Sequence, residues 1–346
     1  MVLNKIVADI RSKKLIKPSS LSMPTAVWTG KDLFEGSTID TLTLIFKTIG
    51  CDFGKKGGCT MCGFVYDSAT TPPSHEEILS QFDKALKKAD RFDKFMLKIF
   101  TSGSFFDENE LSKKVRDEIL KIIENDSRII KVIAETRPEF VTENAIENTM
   151  HILKDTKFEI AVGLETSSDL IKEKAINKGF STSDFINASL TAKKYNATTK
   201  AYLLLKPPFI PEGIAMNDII SSIDDVANLT DTISINLCNI QNGTLVERLW
   251  KRKQYQPPWL WSIVEILKIT KQKYPNIVIM SDPVGAGSKR GPRNCEECSG
   301  IVADAIRKFS IKQDLSIFDG LSCDCMELWK KIIEIEDYSF GSIITR

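Results

Sequence analysis

Cys51, Cys59 and Cys62 lie in one short loop, spaced C-x7-C-x2-C and bounded by Gly50 and Gly63. Thiolates are soft ligands that suit iron-sulfur clusters or zinc. Three of them can hold three irons of a [4Fe-4S] cluster and leave the fourth iron open to bind and activate a ligand. That is the favoured reading of the spacing. The standing alternative is a zinc ion that borrows a fourth cysteine from elsewhere in the chain, and a disulfide framework is less favoured still. Gly54, Gly57, Gly58 and Gly63 would let the backbone wrap closely around a bulky inorganic core. Lys55 and Lys56 are expected to offset the thiolate charge.

A second set of cysteines follows near the C-terminus, Cys295-x2-Cys298 and then Cys323-x-Cys325. Four sulfurs suit a tetrahedral structural Zn2+ site, with an auxiliary iron-sulfur cluster as the alternative. Seven of the eight cysteines therefore fall in two groups, and Cys238 is expected to be a small buried residue. The two histidines, His75 and His151, sit in helical patterns and are read as solvated. Sulfur is the metal-binding chemistry of this chain.

The 346 residues are 42% hydrophobic and 27% charged, ordinary for a soluble protein with a substantial core. Lys and Arg number 47 against 46 Asp and Glu, a net charge of +1, so contact with a nucleic acid requires a local basic patch. No stretch approaches the roughly 20 apolar residues of a membrane span, and the first residues lack a signal-peptide core. The expected setting is the cytoplasm, where clustered cysteines read as metal ligands.

The cysteine loop must be positioned by something, and the pattern around it says what. Short apolar or β-branched runs at Leu42–Ile49, Phe95–Phe100, Ile129–Ala134, Phe158–Gly163, Ala201–Leu205 and Thr232–Leu237 alternate with amphipathic stretches. Ser74 and Glu77 form a capping box for a helix to about Ala89, and Asp107 with Glu110 are read as opening the next. Strands buried on both faces and alternating with helices predict a parallel sheet with crossover helices. Six such units predict an α/β fold, either a (β/α)6 partial TIM barrel or a doubly wound sheet. In both, ligands bind at the carboxyl ends of the strands, where the cysteine loop falls. The expected organisation is an N-terminal extension over residues 1–39, the barrel over 40–255, and a C-terminal extension over 256–346 that carries the four-cysteine metal site.

This arrangement resembles the radical S-adenosylmethionine (SAM) superfamily. Cys59-Thr60-Met61-Cys62 is similar to that family's cysteine motif, and the long first gap resembles the branch around the Elongator catalytic subunit. So do Glu135-Thr-Arg-Pro138 at the end of the third strand and Asn242 to Trp250 after the sixth, while Gly163 to Asp169 after the fourth resembles the superfamily's segment that borders the SAM ribose. Gly291-Pro-Arg-Asn-Cys295 and the later cysteines extend the likeness to the radical SAM subunits of archaeal archaeosine synthases. The resemblance implies a [4Fe-4S] cluster on Cys51, Cys59 and Cys62, with S-adenosyl-L-methionine bordered by Met61, Ser102, Gly103, Ser104, Glu135, Glu165 and Asn239. It implies cleavage of the lysine side chain of a lysine-modified 7-cyano-7-deazaguanine in tRNA, a C–N bond lyase reaction. Arg137 and Lys206 are the candidate clamps for the amino-acid carboxylate. The implied partners are tRNA, the lysine-transferring synthase subunit and a reductant such as ferredoxin or flavodoxin.

For tRNA, the strip Lys251, Arg252, Lys253, Tyr255, Trp259 and Trp261, with Lys289, Arg290 and Arg293, combines charge with stacking surfaces; the alternative, favoured for Trp259 and Trp261 taken singly, is that the tryptophans are core and the charges a solvated face. The competing functions are another radical SAM tRNA-modifying enzyme of the same branch and a non-catalytic zinc protein that binds RNA.

Overall fold

The computed structural model describes residues 2–336 apart from Leu15 and Lys17. Eight strands form one sheet in sequential order: β1 (Ala26–Phe34), β2 (Ser37–Ile45), β3 (Phe95–Phe100), β4 (Ile129–Glu135), β5 (Lys157–Glu165), β6 (Thr198–Leu205), β7 (Thr232–Leu237) and β8 (Val278–Met280). From β2 onward every neighbouring pair is parallel. A doubly wound sheet reverses its strand order at a switch point. This sheet never reverses, so it is a curled partial barrel, as the first of the two expectations had it.

The helices are α1 (Val2–Ser12), α2 (Asp52–Lys55), α3 (His75–Leu86), α4 (Lys113–Asn125), α5 (Glu143–Ile152), α6 (Asp169–Ile171), α7 (Thr182–Lys194), α8 (Glu212–Val226), α9 (Leu245–Lys251), α10 (Leu260–Lys273), α11 (Ser299–Lys312) and α12 (Cys325–Glu336). None of the described helices is long and apolar enough to cross a membrane. Helices α3, α4, α5, α7, α8 and α10 connect successive parallel strands. Their apolar stripes pack on one face of the sheet, against residues such as Leu97, Ile99, Val132, Ile160, Leu203 and Ile235.

All six expected strands are present, as β2 to β7, and the strand expected near Ile277 is β8. Three details differ. The first strand begins at Ser37, because Glu35 (φ 49°) and Gly36 (φ 77°) make a two-residue turn that folds β1 back onto β2 as an antiparallel hairpin. The sheet thus takes β1 from the segment before residue 40 and β8 from the segment after 255. Helix α4 starts only at Lys113, on the cap of Ser112, because Glu110 turns inward instead of capping a helix. Finally, the strands are not apolar on both faces. Asp32, Lys98, Lys131, Glu159 and Lys200 occupy the face opposite the helices, with Lys98–Asp32 at 2.5 Å and Lys131–Glu159 at 3.1 Å. Curling the sheet leaves this inner face room for polar side chains.

Candidate functional site

The cysteine loop leaves the carboxyl end of β2 and is tied down by the ends of the following strands. Cys51 donates its N–H to Ser102 O (3.3 Å), and its Sγ accepts the N–H of Gly54 at the start of α2. Thr60 donates to Ile176 O and, through Oγ1, to Ala175 O (2.8 Å) in the turn following α6. Leu245 of α9 donates to Thr60 O, and Gly63 donates to Gln241 Oε1 beyond β7. The turn after β3 presses directly on the loop. A Cβ at Gly103 would meet Cys51 Cα at 2.8 Å and Glu110 Oε1 at 1.9 Å, so only glycine permits this approach.

Glu110 explains the shape of that turn. It is buried and accepts hydrogen bonds from Thr48 Oγ1 (2.5 Å) and Ser104 N (2.7 Å), while burial pushes its carboxyl up to about 7. Ser104 Oγ in turn accepts from the backbone N–H of Arg137 (3.0 Å). The buried hydroxyl of Ser102, beside Cys51, has no hydrogen-bond partner among the described residues.

Helix α1 closes the loop from outside. The Arg11 guanidinium is buried and donates to Gly54 O, to Cys59 O (3.0 Å) and to Cys62 O (2.8 Å). Asn4 donates to Lys56 O and accepts from Gly58 N. Gly58 stands at φ 76°, and a Cβ there would meet Arg11 Nη1 at 2.7 Å.

Each thiol has its own cation. Burial pushes the Cys62 thiol up to about 12, and the adjacent Cys59 adds to this while Arg11 opposes it. Burial also raises Cys51, against the pull of the Gly54 N–H and of Arg137. Lys178 stands beside Cys59 and forms an ion pair with Glu165 (2.7 Å), both side chains 11% exposed. Burial disfavours its charge, but Glu165 and Cys59 hold it at about 12. The expected counter-charges Lys55 and Lys56 face solvent instead, with Lys56 paired to Asp52. Three half-buried cysteines, each beside a cation, fit an anionic metal cluster, and burial holds the Cys51 and Cys62 thiols against ionisation on their own. Among the described residues these thiols are not gathered within 4.8 Å, as ligands of a single ion are.

The other expected site residues flank this ring. Glu135 lies on the inner face at the end of β4; burial, with Glu165 and Glu110 nearby, pushes it up to about 7 against the pull of Lys178. Met61 packs with Leu204, Cys238, Ile240 and Tyr255. Asn239 is half-buried just beyond β7. Arg137 lies over the rings of Phe53 (4.7 Å) and Phe180 (5.2 Å) and bonds Glu139 and Lys178 O. It clasps the cysteine loop through Phe53. Lys206 is buried in an ion pair with Glu212 (2.7 Å), which also accepts from Ser262 Oγ and Trp259 N. Sequence reasoning missed Arg11, Asn4, Glu110, Lys178 and Gln241. Nothing in their local pattern separates them from surface residues, since Arg11, Asn4 and Gln241 find their partners 43 to 178 residues away, and Glu110 and Lys178 are placed by the fold of the strand ends.

The C-terminal cysteines do converge. Cys295 Sγ lies 3.6 Å from Cys298 Sγ and 3.4 Å from Cys323 Sγ, Cys298 Sγ lies 3.5 Å from Cys325 Sγ, and all four fall within 4.8 Å. The Cys298 N–H draws Cys295 down to about 7. Trp261 Nε1 donates to Cys325 Sγ (3.3 Å). The tryptophans are core, as the alternative had it: Trp261 is buried and Trp259 packs against the core, and Tyr255 is buried as well. The cations Lys251, Arg252, Lys253 and Lys289 are exposed.

No family model matches the chain. It is 56% identical over 344 residues to archaeosine synthase subunit beta of Methanosarcina acetivorans, covering 99% of both chains. It is 41% identical over 310 residues to archaeosine synthase subunit beta of Thermococcus kodakarensis, covering 89% of this chain and 96% of that one. Among solved structures, an Elp3 of Methanocaldococcus infernus lacking its N-terminus aligns with TM-score 0.49 and 18% identity, over 67% of this chain and 59% of that chain.

Proposed function

The chain belongs to the archaeosine synthase subunit beta family, and on that footing we propose that it is a radical SAM enzyme of tRNA modification. The observation that carries the reading is the set of three half-buried cysteines, each beside one cation, at the carboxyl ends of parallel strands. Cys51, Cys59 and Cys62 would hold a [4Fe-4S] cluster, and Ser102, Gly103, Ser104, Glu135, Glu165, Met61 and Asn239 would border S-adenosyl-L-methionine. The bound pair supplies one-electron chemistry that splits SAM and removes a hydrogen atom from an unactivated carbon. The chain's own residues orient and shield. Arg11, Arg137 and Lys178 balance the charge of the thiolates, and the buried Ser102 hydroxyl is a donor awaiting an acceptor.

The finer reading is cleavage of the lysine side chain on a 7-cyano-7-deazaguanine base in tRNA to leave archaeosine, a C–N lyase step. In it the lysine-transferring subunit prepares the substrate and a ferredoxin or flavodoxin supplies electrons. Arg137 and Lys206 are already engaged with Glu139 and Glu212. A role in holding the amino-acid carboxylate would therefore require exchange of those partners. For the C-terminal cysteines the reading is structural zinc. Sulfurs at about 2.3 Å from a tetrahedral Zn2+ lie about 3.8 Å apart, close to the 3.4 to 3.6 Å seen here. A four-iron core would hold them farther apart.

The test is incubation of anaerobically reconstituted, reduced protein with SAM and lysine-modified tRNA, followed by mass spectrometry of the nucleosides. Archaeosine together with 5′-deoxyadenosine is the expected result. Deoxyadenosine without a changed nucleoside would remove the substrate and keep the chemistry, and a protein that takes up zinc but no iron would remove both.

A further inference from the structure

Helices α1 and α9 touch, and between them lies a cleft of about 290 Å³ lined by Ile10, Thr244, Glu247, Arg248, Lys251 and Arg252. Its rim is basic. Lys13 and Lys14 follow α1, Arg248 and Lys251 stand on α9, Arg252 and Lys253 follow it, and Arg290 lies over the Trp250 ring at 5.1 Å. The ion pairs among the described residues of this rim are Lys13–Asp9, Lys251–Glu247 and Arg290–Glu247. Two carboxylates thus answer seven cations, in a chain whose total charge is only +1. Such a concentration is the electrostatic footprint of a phosphate backbone.

Three aromatic rings accompany the charge. Phe64, two residues after Cys62, is 48% exposed; Tyr66 lies under Lys14 Nζ at 3.9 Å; Trp250 lies under Arg290. RNA is read through unstacked bases laid on aromatic faces, and Phe64 offers such a face beside the cysteine loop. Both helices are bonded to that loop, α1 through Arg11 to Cys59 O and Cys62 O, and α9 through Leu245 and Val246 to Thr60 O.

We propose that the α1–α9 ridge is the RNA-docking surface, with phosphates on its cations and a splayed base on Phe64; this rests on the tRNA reading above. It replaces the buried strip of Tyr255 and Trp261 as the stacking part of the interface.

The experiment measures binding of an unmodified tRNA transcript by fluorescence anisotropy between 50 and 200 mM salt. Arg248→Glu with Arg252→Glu is expected to weaken binding at least tenfold at 100 mM salt and to flatten the log–log salt slope by about 2, roughly 0.9 for each phosphate no longer neutralised. Phe64→Ala is expected to weaken binding with the slope unchanged. Lys121→Glu with Lys308→Glu, exposed positions on α4 and α11, makes the same change in net charge and is expected to leave affinity as it is. Equal weakening by both double variants would overturn the ridge. So would ridge variants that bind RNA normally but fail to capture the lysine-transferring subunit, which would make the surface a protein interface. Wild-type protein that binds no tRNA at any salt would instead overturn the tRNA reading beneath the proposal.

Discussion

Arg11 does for the cysteine loop what no neighbouring residue in sequence can do. Its guanidinium gathers three backbone carbonyls from both ends of the C-x7-C-x2-C segment, and hydrogen bonds to a charged group contribute about 1.5 to 3 kcal/mol each. Arg11→Ala is expected to lower iron and sulfide bound per chain severalfold after anaerobic reconstitution, with the far-UV circular dichroism unchanged. Arg11→Lys, which keeps the charge but not the fork, is expected to recover only part. Full iron content in Arg11→Ala would sink this role. Glu135 carries a different kind of prediction. Its carboxyl is pushed up to about 7, chiefly by burial, so the folded state holds the proton that the unfolded state releases above about 4.5. Stability is therefore lost as pH climbs from about 4.5 to 7, and the loss is complete above 7. Glu135→Gln is expected to melt higher than wild type at pH 8, by on the order of 2 kcal/mol, and nearly alike at pH 4.5. Thermal melts of metal-free protein at the two pH values check it.

At the scale of elements, the turn after β3 and the C-terminal helices set separate tolerances. Gly103→Ala would drive a methyl group into Cys51 Cα and Glu110, so reconstitution of iron is expected to fail while the barrel still folds. Gly300 in α11 has nothing within 4 Å of its missing Cβ, and Gly300→Ala is expected to stabilise by about 0.5 to 1 kcal/mol, read as a higher Tm. The strands and crossover helices were legible because their periods are local. Glu110 was misread because Asp107-x-x-Glu110 imitates a capping box, whereas burial with Thr48 and Ser104 draws the carboxylate inward. The β1–β2 hairpin was missed because its turn places Glu35 at positive φ, where asparagine or glycine is the usual signal.

For the molecule as a whole, both cysteine groups were readable as residue types, but not the order of their importance to stability. The loop sulfurs are held apart by the fold, whereas Cys295, Cys298, Cys323 and Cys325 themselves join α11 to α12, and α12 reaches the core through Trp329 and Ser262. Air oxidation is expected to bleach iron absorbance with little change in Tm, since zinc has no redox chemistry. Cys298→Ser or chelation is expected to lower Tm by several degrees and to release about one zinc per chain. A Tm that follows iron and ignores zinc would reverse that assignment.

The anchors of the cysteine loop also dictate when it can be filled. Arg11 waits 43 to 51 residues for its carbonyls, Thr60 waits 115 for Ala175, and Gly63 waits 178 for Gln241. A ribosome working at about 5 to 20 residues per second releases all three cysteines well before α9 exists to hold them. The nascent chain therefore carries an open, oxidisable trio of thiols through most of its synthesis, and the loop gains its last anchors only once Gln241 and α9 have been made.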